Sequence, residues 1–151
     1  MMKIKVEEDA INDDIEVIIR CQSYDERVQK IINQLGYVQK KLNCKKDKEH
    51  CSIFLSDIFY IESIDEKTFI YAIDNVYESQ EKLYMLENQL SDDGFIRISK
   101  SCLMNLDTLK SVKAMLNGKY EATLINDEKL IINRSYMRSF KKVFGIERGI
   151  L

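Results

Sequence analysis

Two short polar stretches carry the residue types best suited to chemistry. Ser99-Lys100-Ser101 sets one long cation between two small hydroxyls, and Asn133-Arg134-Ser135-Tyr136 sets a guanidinium beside an amide and two hydroxyls. A Lys flanked by hydroxyl donors suits a phosphate oxygen or a base edge. An Arg suits a guanine edge or a phosphate, because its planar fork bonds two acceptors at once. Each stretch is equally what an ordinary surface turn looks like, and a local carboxylate would satisfy Arg134 as well. A third polar tip, Lys67-Thr68, follows the turn residues Asp65-Glu66.

Other chemistries find little support. There is no P-loop, GxGxxG or GxSxG segment. The one histidine, His50, sits in a polar stretch and is a poor base for a triad. Asp57 and Glu62 lie five apart on or beside a strand, which predicts opposite faces rather than an acid/base pair. Cys21, Cys44, Cys51 and Cys102 show no CxxC spacing, so four reduced thiols, mostly buried, are expected in place of a disulfide framework or zinc site. The expectation is a non-enzyme with no metal and no cofactor.

The charge distribution favours an anionic partner. The net charge of -2 hides a split: residues 1–96 hold 12 Lys+Arg against 20 Asp+Glu, whereas residues 97–142 hold 10 against four. Such asymmetry predicts a focused, salt-sensitive basic face. No apolar run approaches the roughly 20 residues of a membrane span, and the N-terminus lacks the apolar core of a signal peptide, so a cytoplasmic protein is expected.

The elements that must position these tips are mostly strands. Phe95, Ile96 and Ile98 read as a buried strand, and Leu103 and Met104 begin another, so the Ser-Lys-Ser tip is anchored at both ends. Asn117-Gly118 is the clearest hairpin signal, joining 111–116 to 119–125. Further strands are predicted over 52–55, 58–63, 68–73, 76–79 and 130–132. Their regular spacing points to a mainly β domain. One helix is expected over 81–90, with Leu83, Leu86 and Leu90 on one face. A basic helix over 135–144 would turn Met137, Phe140, Val143 and Phe144 inward and close at Gly145. At the N-terminus, 15–21 reads as a strand. Residues 24–42 read as an amphipathic helix capped by Ser23, with Val28, Ile31, Ile32, Leu35, Val38 and Leu42 as its stripe. Residues 43–50 read as a solvated linker. These features divide the chain into an extension, 1–43, and a main domain, 44–151.

Several blocks in order resemble the LytTR DNA-binding domain: Asp57-Ile58-Phe59-Tyr60-Ile61-Glu62-Ser63, the Leu83, Leu86, Glu87, Leu90 spacing, Phe95 to Ser101 with Asn105-Leu106, and Ile131-Ile132-Asn133-Arg134-Ser135-Tyr136. The resemblance covers about residues 48–145. It implies an elongated sandwich of short antiparallel sheets with a small side helix, whose loops enter successive major grooves of promoter DNA. About forty residues ahead of it are too few for the receiver domain of many relatives. The chain looks instead like the stand-alone regulators with a strand-helix extension, which are often restrained by a small membrane protein.

Carried over by position, the resemblance assigns base reading to Lys67 or Thr68, Lys100, and Arg134 or Ser135. Ser99, Ser101, Lys129, Tyr136, Arg138, Lys141 and Lys142 are the phosphate candidates. Asn105 is expected to order its own turn, and Arg97 to face either a phosphate or a neighbouring acid. The expected partner is double-stranded promoter DNA with repeated half-sites, bound by a homodimer or two molecules. Two rivals stand beside this reading: a protein-interaction module with an incidental basic face, and an RNA binder stacking bases on Tyr60, Tyr71 and Tyr77.

Overall fold

The computed structural model describes residues 1–11, 14–37 and 40–145. The chain falls into two compact units, Met1–Gln34 and Leu35–Leu151. In the first, the expected strand over 15–21 does not form. Ile15, Val17 and Ile18 are exposed, and β-branched composition makes a strand only where a partner strand takes up its backbone bonds. Helix α1 (Glu26–Tyr37) starts later and ends sooner than its apolar stripe implied. Its cap is Asp25, not Ser23: Asp25 Oδ1 accepts the backbone N–H of Arg27 at 3.0 Å and of Val28 at 3.2 Å. Leu42 belongs to a strand, and Val38 lies outside the described residues.

The second unit is built of ten strands and two further helices among the described residues. Strands β1 (Lys41–Lys46), β2 (Glu49–Phe54), β3 (Ile58–Ile64), β4 (Lys67–Ala72) and β5 (Val76–Ser79) lead to helix α2 (Leu83–Leu90). Then come β6 (Phe95–Ser99), β7 (Cys102–Asn105), β8 (Leu109–Ala114), β9 (Tyr120–Leu124), β10 (Lys129–Ile132) and helix α3 (Met137–Phe144). All neighbouring strands run antiparallel, in a seven-stranded sheet ordered β2-β1-β5-β4-β3-β7-β6 and a three-stranded sheet ordered β10-β9-β8.

The stretch 43–50 is therefore a hairpin rather than a linker, and β1 runs across the boundary expected at 43/44. Its turn, Asp47-Lys48, has φ of 50° and 70°. Two consecutive positive φ values give the twist that lets two antiparallel strands close in two residues. Asp65-Glu66 makes the same turn between β3 and β4, at 51° and 67°, without glycine. Asn117-Gly118 turns the chain between β8 and β9, at 75° and 73°. The strands, however, stop at Ala114 and Tyr120, short of the expected 116 and 119: Leu116–Gly118 form a 3₁₀ turn that Met115 N–H to Lys119 O closes.

Strand alternation sorts the apolar side chains to the two faces of the large sheet. Ile58, Ile61, Ile70, Phe95 and Leu103 pack with Leu83, Leu86 and Leu90 of α2. Phe59, Ile96, Ile98, Cys102 and Met104 pack with Tyr120, Ala122, Leu124 and Ile132 of the small sheet and with Met137 and Phe140 of α3. A register shift between Ile58 and Tyr60 puts Phe59 and Tyr60 on the same side, where plain alternation would separate them. Val143 and Phe144 are exposed, against expectation, because the inward stripe of this eight-residue helix is filled by Met137 and Phe140. Gly145, at φ 79°, closes α3 by donating its N–H to Lys141 O.

Buried Asn105 ties the strands together. Its Nδ2 donates to Ile58 O at 2.8 Å and to Leu55 O at 3.4 Å, while its Oδ1 accepts the N–H of Asp107. Thr108 Oγ1 donates to Asn105 O. Asn105 orders its own turn, as its place in the sequence suggested.

Candidate nucleic-acid interface

Backbone bonds join the three polar tips into one rim. The β6–β7 tip is Ser99-Lys100-Ser101, and Ser101 O accepts the N–H of Ser63 at 2.8 Å. Ser63 stands beside the β3–β4 tip, one residue before Ile64, which pairs with Lys67. On the other side, Asn133 N–H donates to Ile98 O at 2.9 Å, so the segment after β10 is fixed to the end of β6. Lys67, Lys100 and Arg134 are all exposed along this connected edge.

Thr68 is not available to a base. Only 2% of its surface is exposed, and it lies between Ser63 and Ser79 in the sheet register. Alternation along β4 turns Thr68 inward while Lys67, one residue earlier, stays in solvent. Of that pair, only Lys67 is presented.

The central tip is held by Arg97. Its Nε donates to Ser99 O at 2.7 Å, its Nη2 to Lys100 O, and its Nη1 to Glu87 Oε1 at 3.1 Å. The guanidinium is thus spent on the two carbonyls that shape the loop and on an acid of α2. It faces the neighbouring acid, not the open rim. The alternation of β6 explains this: Phe95 faces α2, so Arg97 does too. A register shift between Arg97 and Ser99 then re-aims the tip. Ser99 Oγ accepts the N–H of Ser101 at 3.2 Å, which occupies one hydroxyl with the turn itself. Lys100 is left pointing from a fixed backbone.

Arg134 opens a turn of 3₁₀ helix, Arg134–Tyr136, that leads into α3. Its aliphatic stem crosses Gly118: a Cβ there would come within 3.3 Å of Arg134 Cδ. Gly118 therefore serves twice, by its positive φ and by the flat floor it gives the arginine. Ser135 is exposed next to Arg134, whereas the Tyr136 ring packs against the small-sheet core.

The remaining cations are less uniform. Arg138 and Lys142 are exposed on α3, four residues apart and so on one face. Lys141 is half-buried, with Nζ 5.4 Å from the centre of the Tyr120 ring. Lys129 opens β10 at the end away from the rim and lies 3.5 Å from Glu121. The contacts of Glu87 with Arg97 and of Gly118 with Arg134 were not foreseen from the sequence, which gave Glu87 only a place in a helix spacing and Gly118 one in a hairpin turn. Each supports a tip from a different element, and only the expectation that Arg97 faces a phosphate or a neighbouring acid hinted at the first.

Tyr60 and Tyr71 stack on each other, with ring centres 4.3 Å apart, and Tyr77 is buried with its hydroxyl on Asp74 at 2.9 Å. Burial, then the charge of Glu128, raises the Tyr60 hydroxyl pKa above its ordinary value. Among the described residues no group of His, Cys, Asp and Glu has metal-binding geometry, and no helix is long and apolar enough to cross a membrane.

The family model described as the LytTr DNA-binding domain matches residues 48–145. The sensory transduction protein LytT of Bacillus subtilis (strain 168) is 25% identical over 108 residues, which cover 72% of this chain and 45% of LytT. The transcriptional regulatory protein LytR of Staphylococcus aureus (strain N315) is 34% identical over 79 residues, covering 52% of this chain and 32% of LytR. The chain thus spans less than half the length of these relatives. A solved LytTr DNA-binding domain from Bacillus cereus superposes with a TM-score of 0.67 at 24% identity, over 70% of this chain and 97% of that one. The last match bears on the fold, a mainly β unit of antiparallel sheets with small helices.

Proposed function

We propose that this chain, which belongs to the LytTR DNA-binding domain family through residues 48–145, regulates transcription by reading double-stranded DNA through the loops of its second unit. Lys67, Lys100 and Arg134 reach bases in the major groove, with Ser135 beside Arg134. Arg138 and Lys142 bind phosphate, and Ser101 assists near Lys100. Ser99, Tyr136, Lys141 and Lys129 contribute less, because each is already engaged by the fold or by a neighbour. The residues ahead of β1 act as an extension, and two copies occupy repeated half-sites.

One observation carries this reading: three exposed cations sit on tips whose backbones are bonded into a single rim. A preformed rim loses little entropy when it docks. The test is binding of the full chain to DNA from upstream of its own coding region, against a scrambled fragment, at two salt concentrations. Native DNA should bind more tightly, with a steep decline as salt rises. Lys100→Ala and Arg134→Ala should each weaken cognate binding by about 1–3 kcal/mol and relax base preference. Unchanged binding by both variants would remove the site assignment. Salt-insensitive capture of a protein partner, with equal weak binding to both DNAs, would favour the interaction module instead.

A further inference from the structure

The hairpin of β1 and β2 carries two thiols that the DNA rim does not use. Cys44 and Cys51 stand directly opposite one another in the antiparallel register, and their sulfurs are 3.2 Å apart. Opposed residues of such a pair have Cα atoms about 4.5–5.5 Å apart, inside the range that disulfides span. A bond between them needs the sulfurs to close by about 1 Å, to the usual length near 2.05 Å. That is a side-chain torsion, not a backbone rearrangement. We propose that Cys44 and Cys51 form a reversible thiol oxidation site for hydrogen peroxide, closing to a disulfide that staples β2 to β1.

The two sulfurs divide the work by exposure. Cys44 is buried among Leu42, Leu55 and Tyr77, whereas Cys51 is half-buried at the margin of the same cluster. Burial, and next the neighbouring Cys51 thiol, holds the Cys44 thiol well above the ordinary thiol range. Cys51 is the sulfur a peroxide reaches first. Its thiolate attacks the O–O bond, which breaks to leave a sulfenic acid on Cys51 and one water after protonation. The Cys44 sulfur then displaces that hydroxyl, forms the S–S bond, loses its proton and releases a second water. Two thiols lose two electrons and two protons, and the peroxide takes both.

The other cysteines are not equivalent. Cys102 faces the small-sheet core, on the opposite face of the large sheet from Cys44, and burial pushes its thiol up to about 12. Cys21 is exposed in the N-terminal unit. The staple matters because β2 is an edge strand held by β1 alone. Closing the loop across Asp47-Lys48 ties that edge down and limits fraying.

The experiment treats the reduced full chain, carrying Cys21→Ser, with a small excess of hydrogen peroxide. It then blocks free thiols and maps tryptic peptides. Lys45, Lys46 and Lys48 lie between the two cysteines, so trypsin separates them unless a disulfide holds them. The expected result is a Cys44 and Cys51 crosslinked peptide within one chain, released by dithiothreitol, with Cys102 still reduced. The oxidised chain should melt several degrees higher and show slower amide exchange in β1 and β2. Cys44→Ala should leave a trappable sulfenic acid on Cys51, and Cys51→Ala should leave Cys44 unreacted. Separate peptides after treatment, sulfinic acid at both sites, or a bond only between two chains would overturn the proposal.

Discussion

Arg97 offers the most direct test of how the rim works, because it contacts the tip without facing the groove side. Replacing it with Leu keeps an apolar stem against α2 but removes donors to Ser99 O, Lys100 O and Glu87. The Lys100 carbonyl rehydrates, since that residue is exposed, and Glu87 is 38% exposed and regains water. Only the half-buried Ser99 carbonyl is left poorly satisfied, so the stability loss should be about 1–2 kcal/mol. The effect on DNA should come from order: a loosened tip must be fixed again on binding, at about 1–2 kcal/mol for each residue whose backbone is refrozen. Cognate affinity should therefore fall about 5- to 30-fold, the factor equivalent to 1–2 kcal/mol. The assay is fluorescence anisotropy in a cycle with Lys100→Ala, at several salt concentrations. A positioning role predicts that the two losses do not add, and that the salt slope is unchanged by Arg97→Leu. Additive losses, with the slope reduced by about one, would show Arg97 touching a phosphate and refute the argument.

Two further outcomes follow from single residues. Asn105→Ala removes a buried amide that joins the carbonyls of Leu55, in the β2–β3 connection, and Ile58, at the start of β3, and caps its own turn. Chemical denaturation should show a loss of about 2–4 kcal/mol, while DNA affinity of the folded protein stays unchanged. Asp25 has its pKa lowered from 3.8, chiefly by the N–H of Val28. A depressed carboxyl stabilises α1 above the unfolded value and loses that contribution as pH falls below it. Helix content followed by circular dichroism should decline on acidification below pH 3.8, and Asp25→Ala should be less helical at neutral pH with a smaller acid-dependent change.

The legible parts of the chain were those where periodicity or a turn residue acts locally. The strands around Ser99-Lys100-Ser101 were readable because Phe95, Ile98, Leu103 and Met104 must all be buried in so short a span. Asn117-Gly118 announced its hairpin through the residues that tolerate positive φ. Asp47-Lys48 did not, because it adopts the same turn with side chains that rarely do, and the neighbouring charges of Lys45, Lys46 and Glu49 read as solvated chain. The run 15–21 failed for the opposite reason. Its composition suits a strand, but a strand exists only through a partner that local sequence does not name. At the site, residue types located the cations correctly on exposed tips. What holds those tips is long-range: Glu87 to Arg97, Ser63 to Ser101, Ile98 to Asn133 and Gly118 beneath Arg134.

The number of such tips bears on how many copies must bind. One rim presents three exposed cations, and a good side-chain contact to a base discriminates by about 1–3 kcal/mol. Three would supply about 3–9 kcal/mol at best, and less where a lysine meets its base through a single bond rather than a fork. Specific DNA binding requires about 4–10 kcal/mol over non-specific binding. A single copy reaches the useful range only if its contacts are strong, and its acidic remainder adds repulsion from DNA outside the rim. On the proposed reading, two copies on repeated half-sites would double this discrimination without any further base-reading residue. On that reading, short, fixed loops would shift the burden of specificity onto repetition of the site.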